Sequence, residues 1–227
     1  MAEAMTVETI VEADWQMQGF WTRLRFPFKT PKGGWSDIDV LAYNPESKEL
    51  VVGESKVRGP KRDIYAFTAE TQKRYGDILE YDDENYFGFL KHLSYVCKDG
   101  VVFKNFNNMV SKLVVQLVSN YFISDDVISD AQKAVLHHIR NAIPKRVRVD
   151  VRLETTLDVI TRIIQSEKER DQGRRYGHPV IDIAREINRY MHPAVKYAGR
   201  RKGSSEEISR IIIGKFFASI SNNENPK

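Results

Sequence analysis

Two runs, Trp35-Ser-Asp-Ile-Asp-Val-Leu-Ala-Tyr43 and Glu49-Leu-Val-Val-Gly-Glu-Ser-Lys-Val57, flank the segment Asn44-Pro-Glu-Ser-Lys48. Each run is apolar over much of its length and carries clustered charge at one end. Pro45 sets φ for a type I turn, so a β-hairpin is expected. Side chains alternate along a strand. Asp37 and Asp39 therefore share one face of the first run, and Glu54 and Lys56 one face of the second. A hairpin folded symmetrically about its turn pairs positions that sum to about 93. Asp39 then faces Glu54 and Asp37 faces Lys56, with opposed Cβ atoms ~4.5–5.5 Å apart.

Two carboxylates that close repel unless a cation lies between them. Mg²⁺ takes one or two carboxylates and fills its remaining positions with water and phosphate; Mn²⁺ is the expected substitute. Asp39 and Glu54 are the expected metal ligands, with Asp37 beside them as a further candidate. Hydrolysis of a phosphodiester explains the grouping. The metal would polarise the phosphate and acidify a water, while Lys56 would position the attacking water and neutralise developing charge. The plainer reading is a charged hairpin with ordinary cross-strand ion pairs. Apolar Val40-Leu-Ala42 and Leu50-Val-Val52, ending in charge, weigh against it.

Working outward, 7–19 reads as a helix stopped by Gly19, 20–28 as a strand and 29–34 as a turn. Beyond the hairpin, 65–79 is expected to be helical. Residues 93–97 and 100–103 are expected as short strands around Lys98-Asp-Gly100, and 107–122 and 126–142 as helices. The strict alternation of 146–153 predicts a strand with one charged face. Helices over 156–170, 179–191 and 206–220 complete the chain, with 221–227 as a disordered tail. The fold class is α/β, a central mixed sheet flanked by helices with a mostly helical C-terminal region. A core over 1–105 is followed by a helical, basic region over 106–227. Strand 146–153 leaves open that both belong to one domain.

The 227 residues suit one large domain or a core with an appendage. No apolar run approaches the ~20 residues of a membrane span, and Met1-Ala-Glu-Ala-Met5 lacks the basic flank of a signal peptide. A soluble, cytoplasmic protein with no membrane association is expected. Cys97 is the single cysteine, which excludes an internal disulfide and a thiolate zinc cluster; it reads as a small buried hydrophobe. No phosphate-binding glycine loop appears, so no ATP is expected. His137 and His138 point in different directions on a helix, and His178 and His192 stand alone. Net charge is −4 over 1–100 and +8 over 101–227. That asymmetry suits an enzyme holding cations in one part and a polyanion in another.

Asp39 followed across a turn by Glu54-Ser-Lys56 resembles the D…ExK signature of the PD-(D/E)xK nuclease superfamily, the restriction-endonuclease-like proteins. The Asp37-Ile-Asp39 form is similar to members with an acidic residue two before the essential aspartate. The proline that names the motif is absent here, as in many members. The resemblance covers roughly residues 7–80. It implies a restriction-endonuclease-like sheet and a Mg²⁺-dependent nuclease, endo- or exonucleolytic, in restriction or repair. It also implies an acidic residue from the preceding helix near the metal: Glu8, with Glu12 one turn later as the alternative. A glutamine on the following helix matches Gln72, in Thr71-Gln-Lys-Arg-Tyr75, at a spacing one residue shorter than the commonest form. For Glu8 and Glu12 the plainer reading, a solvated helix face, stands level with this one, whereas Gln72 reads first as a polar surface residue.

A nuclease must also hold phosphates. Arg58, Lys61 and Arg62 follow the signature; Lys145, Arg146, Arg174, Arg175, Arg200, Arg201 and Lys202 form later basic clusters, with Tyr176, Tyr190 and Tyr197 among them. The expected partner is nucleic acid, with DNA favoured over RNA by the family alone. A homodimer or a partner subunit is left open. The rival reading is a catalytically silent nucleic-acid-binding or subunit-interaction module of the same fold.

Overall fold

The computed structural model describes residues 2–30, 32–56, 96, 105–106, 109–119, 129, 132–133, 136–137, 139–169 and 177–191. Helix α1 (Ala2–Met17) precedes strands β1 (Trp21–Lys29), β2 (Trp35–Asn44) and β3 (Glu49–Lys56). Strands β4 (Lys112–Ser119) and β5 (Arg148–Thr155) follow, then helices α2 (Thr156–Glu169) and α3 (Pro179–Met191). The strands form one sheet in the order β1-β2-β3-β4-β5. The β1–β2 and β2–β3 pairs are antiparallel, and the β3–β4 and β4–β5 pairs are parallel. The chain is α/β, with a five-stranded mixed sheet flanked by helices.

Helix α1 buries Val7, Val11 and Trp15, four residues apart on one face, and lies along β1, β2 and β3. Its end is set by Gly19, whose φ of 86° few other residues adopt. The Phe20 N–H then reaches back to the Trp15 carbonyl at 3.0 Å. In the hairpin turn, the Asn44 side chain accepts from the Glu46 and Ser47 N–H groups. The Lys48 carbonyl accepts from Ser111 N–H at 2.9 Å, which starts β4 beside β3.

Strand β4 corrects the helix expected over 107–122. Leu113-Val-Val-Gln-Leu-Val118 is buried throughout, on both faces of the sheet. A central parallel strand shows no polar alternation, so its pattern cannot be told from a buried helix. The β-branched content is the usable signal. Val96, expected within a short strand, is helical and fully buried. The rest of 93–97, the strand over 100–103, the helices over 65–79 and 206–220 and the tail over 221–227 lie outside the described residues, as do Cys97, His138 and His192.

Strand β5, expected over 146–153, pairs along its whole length with β4. It passes at once into α2 through a reciprocal cap. Thr155 N–H and hydroxyl donate to the Asp158 carboxylate, and Asp158 N–H donates to Thr155 Oγ1. Residues 1–160 and 161–227 form two compact units. In the second, Arg185 bridges to Glu167 at 2.9 Å, and Ile163, Ile181 and Ala184 are buried. The buried His178 accepts from Val180 N–H through Nδ1 and so caps α3 ahead of Pro179. Among the described residues no helix is long and apolar enough to cross a membrane.

Candidate functional site

The hairpin register sums to 93 from Asn44↔Glu49 to Val40↔Gly53, as its symmetry predicts, and the ladder ends there. Beyond that point the two strands separate. Strand β2 stays with β1, pairing Ile38 with Phe26 and Asp37 with Pro27. Strand β3 stays with β4, pairing Glu54 with Leu117 and Lys56 with Ser119. The expected backbone pairs Asp39–Glu54 and Asp37–Lys56 are therefore not formed.

A side chain spans the fork instead. Asp39 Oδ2 accepts from Ser55 N–H at 2.8 Å and from Ser55 Oγ at 3.1 Å. The carboxylate thus takes up a β3 donor that the ended ladder leaves over. It is fixed to the residue immediately after Glu54, and Asp39 and Glu54 are both buried. Gly53 makes the close approach possible. A Cβ there would meet Val40 Cβ and the Val40 carbonyl at 3.3 Å.

Glu8, on the first half of α1, is only 2% exposed. Arg25 grips it with two hydrogen bonds, Nη2 to Oε1 at 2.7 Å and Nε to Oε2 at 3.0 Å. The same guanidinium lies 3.8 Å from Asp37 Oδ2. Arg25 stands opposite Asp39 in the β1–β2 register, at the one position the pairing skips. Its φ is +49°, a conformation that costs a non-glycine residue roughly 1–3 kcal/mol and persists where the surroundings enforce it. Burial raises the Glu8 carboxyl above its ordinary value; the Arg25 hydrogen bond opposes this, and Asp39 and Asp37 add to it. Glu8 in turn raises Arg25 and holds it charged.

The structure therefore brings together Glu8, Asp37 and Asp39, with Glu54 beside the Asp39 anchor. Glu12, the alternative to Glu8, accepts from Thr22 Oγ1 at 2.9 Å. Lys145 and Arg146 are exposed in the turn before β5. Glu54 registers through Leu117 with Leu153, eight residues further on. At ~3.3 Å per residue Arg148, the first residue of β5, is roughly 17 Å along the sheet from the level of the fork, and the basic turn lies beyond it. Arg58, Lys61, Arg62, Gln72, Arg174, Arg175, Arg200, Arg201 and Lys202 lie outside the described residues. So do the Tyr176 and Tyr197 positions.

Two residues escape the sequence reading. Arg25 looks like any polar position of an alternating strand; its backbone conformation is invisible in sequence. Gln116 is hidden by the helical reading of β4. It is fully buried, accepts from Trp15 Nε1 at 2.6 Å and donates to Glu154 Oε2 at 2.9 Å. The Arg152 guanidinium lies 5.2 Å from the Trp15 ring centroid.

No family model, curated protein or solved structure matches the chain. Among the described residues no three His, Cys, Asp or Glu side chains form a ready-made metal cage. Mg²⁺ does not require one. It is held by one or two carboxylates with water and phosphate completing the shell, and the buried pair Asp39 and Glu54 fits that donor set.

Proposed function

We propose that the chain is a Mg²⁺-dependent nuclease of the PD-(D/E)xK, restriction-endonuclease-like type, acting on DNA in restriction or repair. One observation carries the reading. A buried aspartate is anchored to Ser55 across a strand fork, directly beside a buried glutamate. Buried acids gathered at a fork repel one another, and a divalent cation would relieve that repulsion and also supply chemistry.

Asp39 and Glu54 would hold Mg²⁺ (or Mn²⁺), which when bound supplies Lewis-acid charge stabilisation and a more acidic water. Ser55 orients Asp39 by fixing one of its oxygens and leaving the other for a ligand. Lys56, two residues after Glu54, is assigned to orient the attacking water and offset charge on the phosphate. Glu8 is the further acid, with Arg25 controlling its charge.

Arg25 favours a second reading. Its guanidinium already neutralises Glu8 and approaches Asp37, as it would in a catalytically silent nucleic-acid-binding or subunit-interaction module. The purified chain should be offered supercoiled, linear duplex and single-stranded DNA, with Mg²⁺, Mn²⁺ or EDTA. The nuclease reading expects metal-dependent cleavage that Asp39→Asn and Lys56→Ala abolish while binding survives. Binding without cleavage, indifferent to Asp39→Asn, would establish the silent module.

A further inference from the structure

We infer that the exposed edge strand β1, with the start of β2, is a track for a single strand of nucleic acid; this deepens the nuclease reading and rests on it. Along β1 the odd-numbered residues are exposed and the even-numbered ones are not. The exposed set is Trp21, Arg23, Arg25, Pro27 and Lys29, and Trp35 stands across the ladder from Lys29. Trp21 is 74% exposed and Trp35 75%. Tryptophan left that open is a large apolar surface without a role in the core.

The spacing gives the pair of rings a purpose. Trp21 lies four residues before Arg25, and Trp35 four before Asp39, which Arg25 opposes. At ~3.3 Å per residue each ring stands about 13 Å along the strands from the acidic fork, one on either side. Arg23 lies between Trp21 and the fork, Lys29 stands level with Trp35, and Arg23 is steadied over Phe26 at 5.1 Å from its centroid. Alternating cations and open aromatic faces are what a flexible polyanion with stackable bases requires. The charge is complementary to phosphate, and the arrangement would lay one phosphodiester across the fork. A protein strand is the poorer occupant. Among the described residues β1 is an edge strand, but Pro27 has no N–H and Arg25 breaks the extended backbone, both of which blunt an edge against pairing.

The test uses the full chain in EDTA with a fluorescently labelled, mixed-sequence single-stranded oligonucleotide of about 16 nucleotides. Binding should quench intrinsic tryptophan fluorescence. Trp21→Ala and Trp35→Ala should each weaken binding about tenfold with thermal unfolding unchanged. Replacing Arg23 and Lys29 together with alanine should lower the slope of log affinity against log salt by about 1.4, or ~0.7 for each phosphate no longer neutralised. The inference is overturned if the wild type does not bind, or if both tryptophan variants bind as it does. It is also overturned if those variants instead turn a sedimenting dimer into a monomer, because a second copy then covers the face. Binding in EDTA and cleavage in Mg²⁺ separate the two claims. Tight, tryptophan-dependent binding without cleavage keeps the track and sinks the nuclease, whereas cleavage with β1 variants that bind normally does the reverse.

Discussion

Ser55 is the residue on which the proposed site turns, because it fixes Asp39 by two hydrogen bonds, one from its backbone and one from its hydroxyl. Groups that orient a metal-binding carboxylate typically matter by 10–100-fold in affinity or activity. Ser55→Ala keeps the backbone bond, so the lower end is expected: about a tenfold rise in the Mg²⁺ concentration for half-maximal cleavage. Stability should fall by only about 1 kcal/mol. A metal titration of the variant beside a thermal melt checks both. Glu8 offers a second test. Its carboxyl is raised above the ordinary 4.5, chiefly by burial. An acid raised in the folded state favours folding while protonated, so that contribution is whole below about 4.5 and is lost as pH rises through the folded value. Glu8→Gln removes the titration. The melting temperature of wild type relative to Glu8→Gln should therefore drop as pH rises above about 4.5. A difference that grew with pH would mean that the ionised pair with Arg25 outweighs the burial of Glu8.

Among elements, the β2–β3 hairpin is the most legible in the sequence, since turn chemistry and alternation act locally. Its register follows from the positions of Asn44 and Lys48 alone. The fork does not, because where a ladder ends depends on the neighbours β1 and β4, which compete for the two strands. Strand β4 reads as a helix because burial on both faces erases the polar half of the pattern, and Gln116 is lost with it. The acids are legible as residue types on alternating positions. Arg25 is not, since a left-handed backbone in a non-glycine residue is imposed by its tertiary surroundings. Gly53 tests the fork as a built feature. A methyl group there would press on Val40 Cβ and on a carbonyl oxygen, each at 3.3 Å, and backbone cannot swing aside. Gly53→Ala should cost about 1–3 kcal/mol as overpacking, read by chemical denaturation. It should also impair cleavage out of proportion, by shifting Asp39 relative to Ser55. A fully stable and active Gly53→Ala would show that the strands separate for another reason.

On the scale of the whole molecule, the proposed site and the exposed basic turn stand at opposite ends of the sheet. The acids Glu8, Asp37, Asp39 and Glu54 gather where β2 and β3 part. At the far end Lys112 bridges Glu49 at 3.2 Å and approaches Asp150 at 3.9 Å, and Lys145 and Arg146 are exposed beyond it. A cation roughly 17 Å or more from the fork lies about two Debye lengths away at physiological salt, so it contributes little to a transition state there through solvent. It can only lengthen the footprint of a bound polyanion. Alanine at both Lys145 and Arg146 should therefore leave cleavage of a short oligonucleotide within about twofold of wild type. Any effect should emerge as a higher KM on long DNA, growing with salt, with kcat preserved, as expected when uniform binding is removed. The Arg23 and Lys29 variant makes the opposite comparison, because those cations flank the fork. It should weaken short and long substrates alike. If the distant pair mattered equally for a short substrate, the strand would have to cross the sheet ends rather than follow β1, and the placement of the substrate would need to be redrawn.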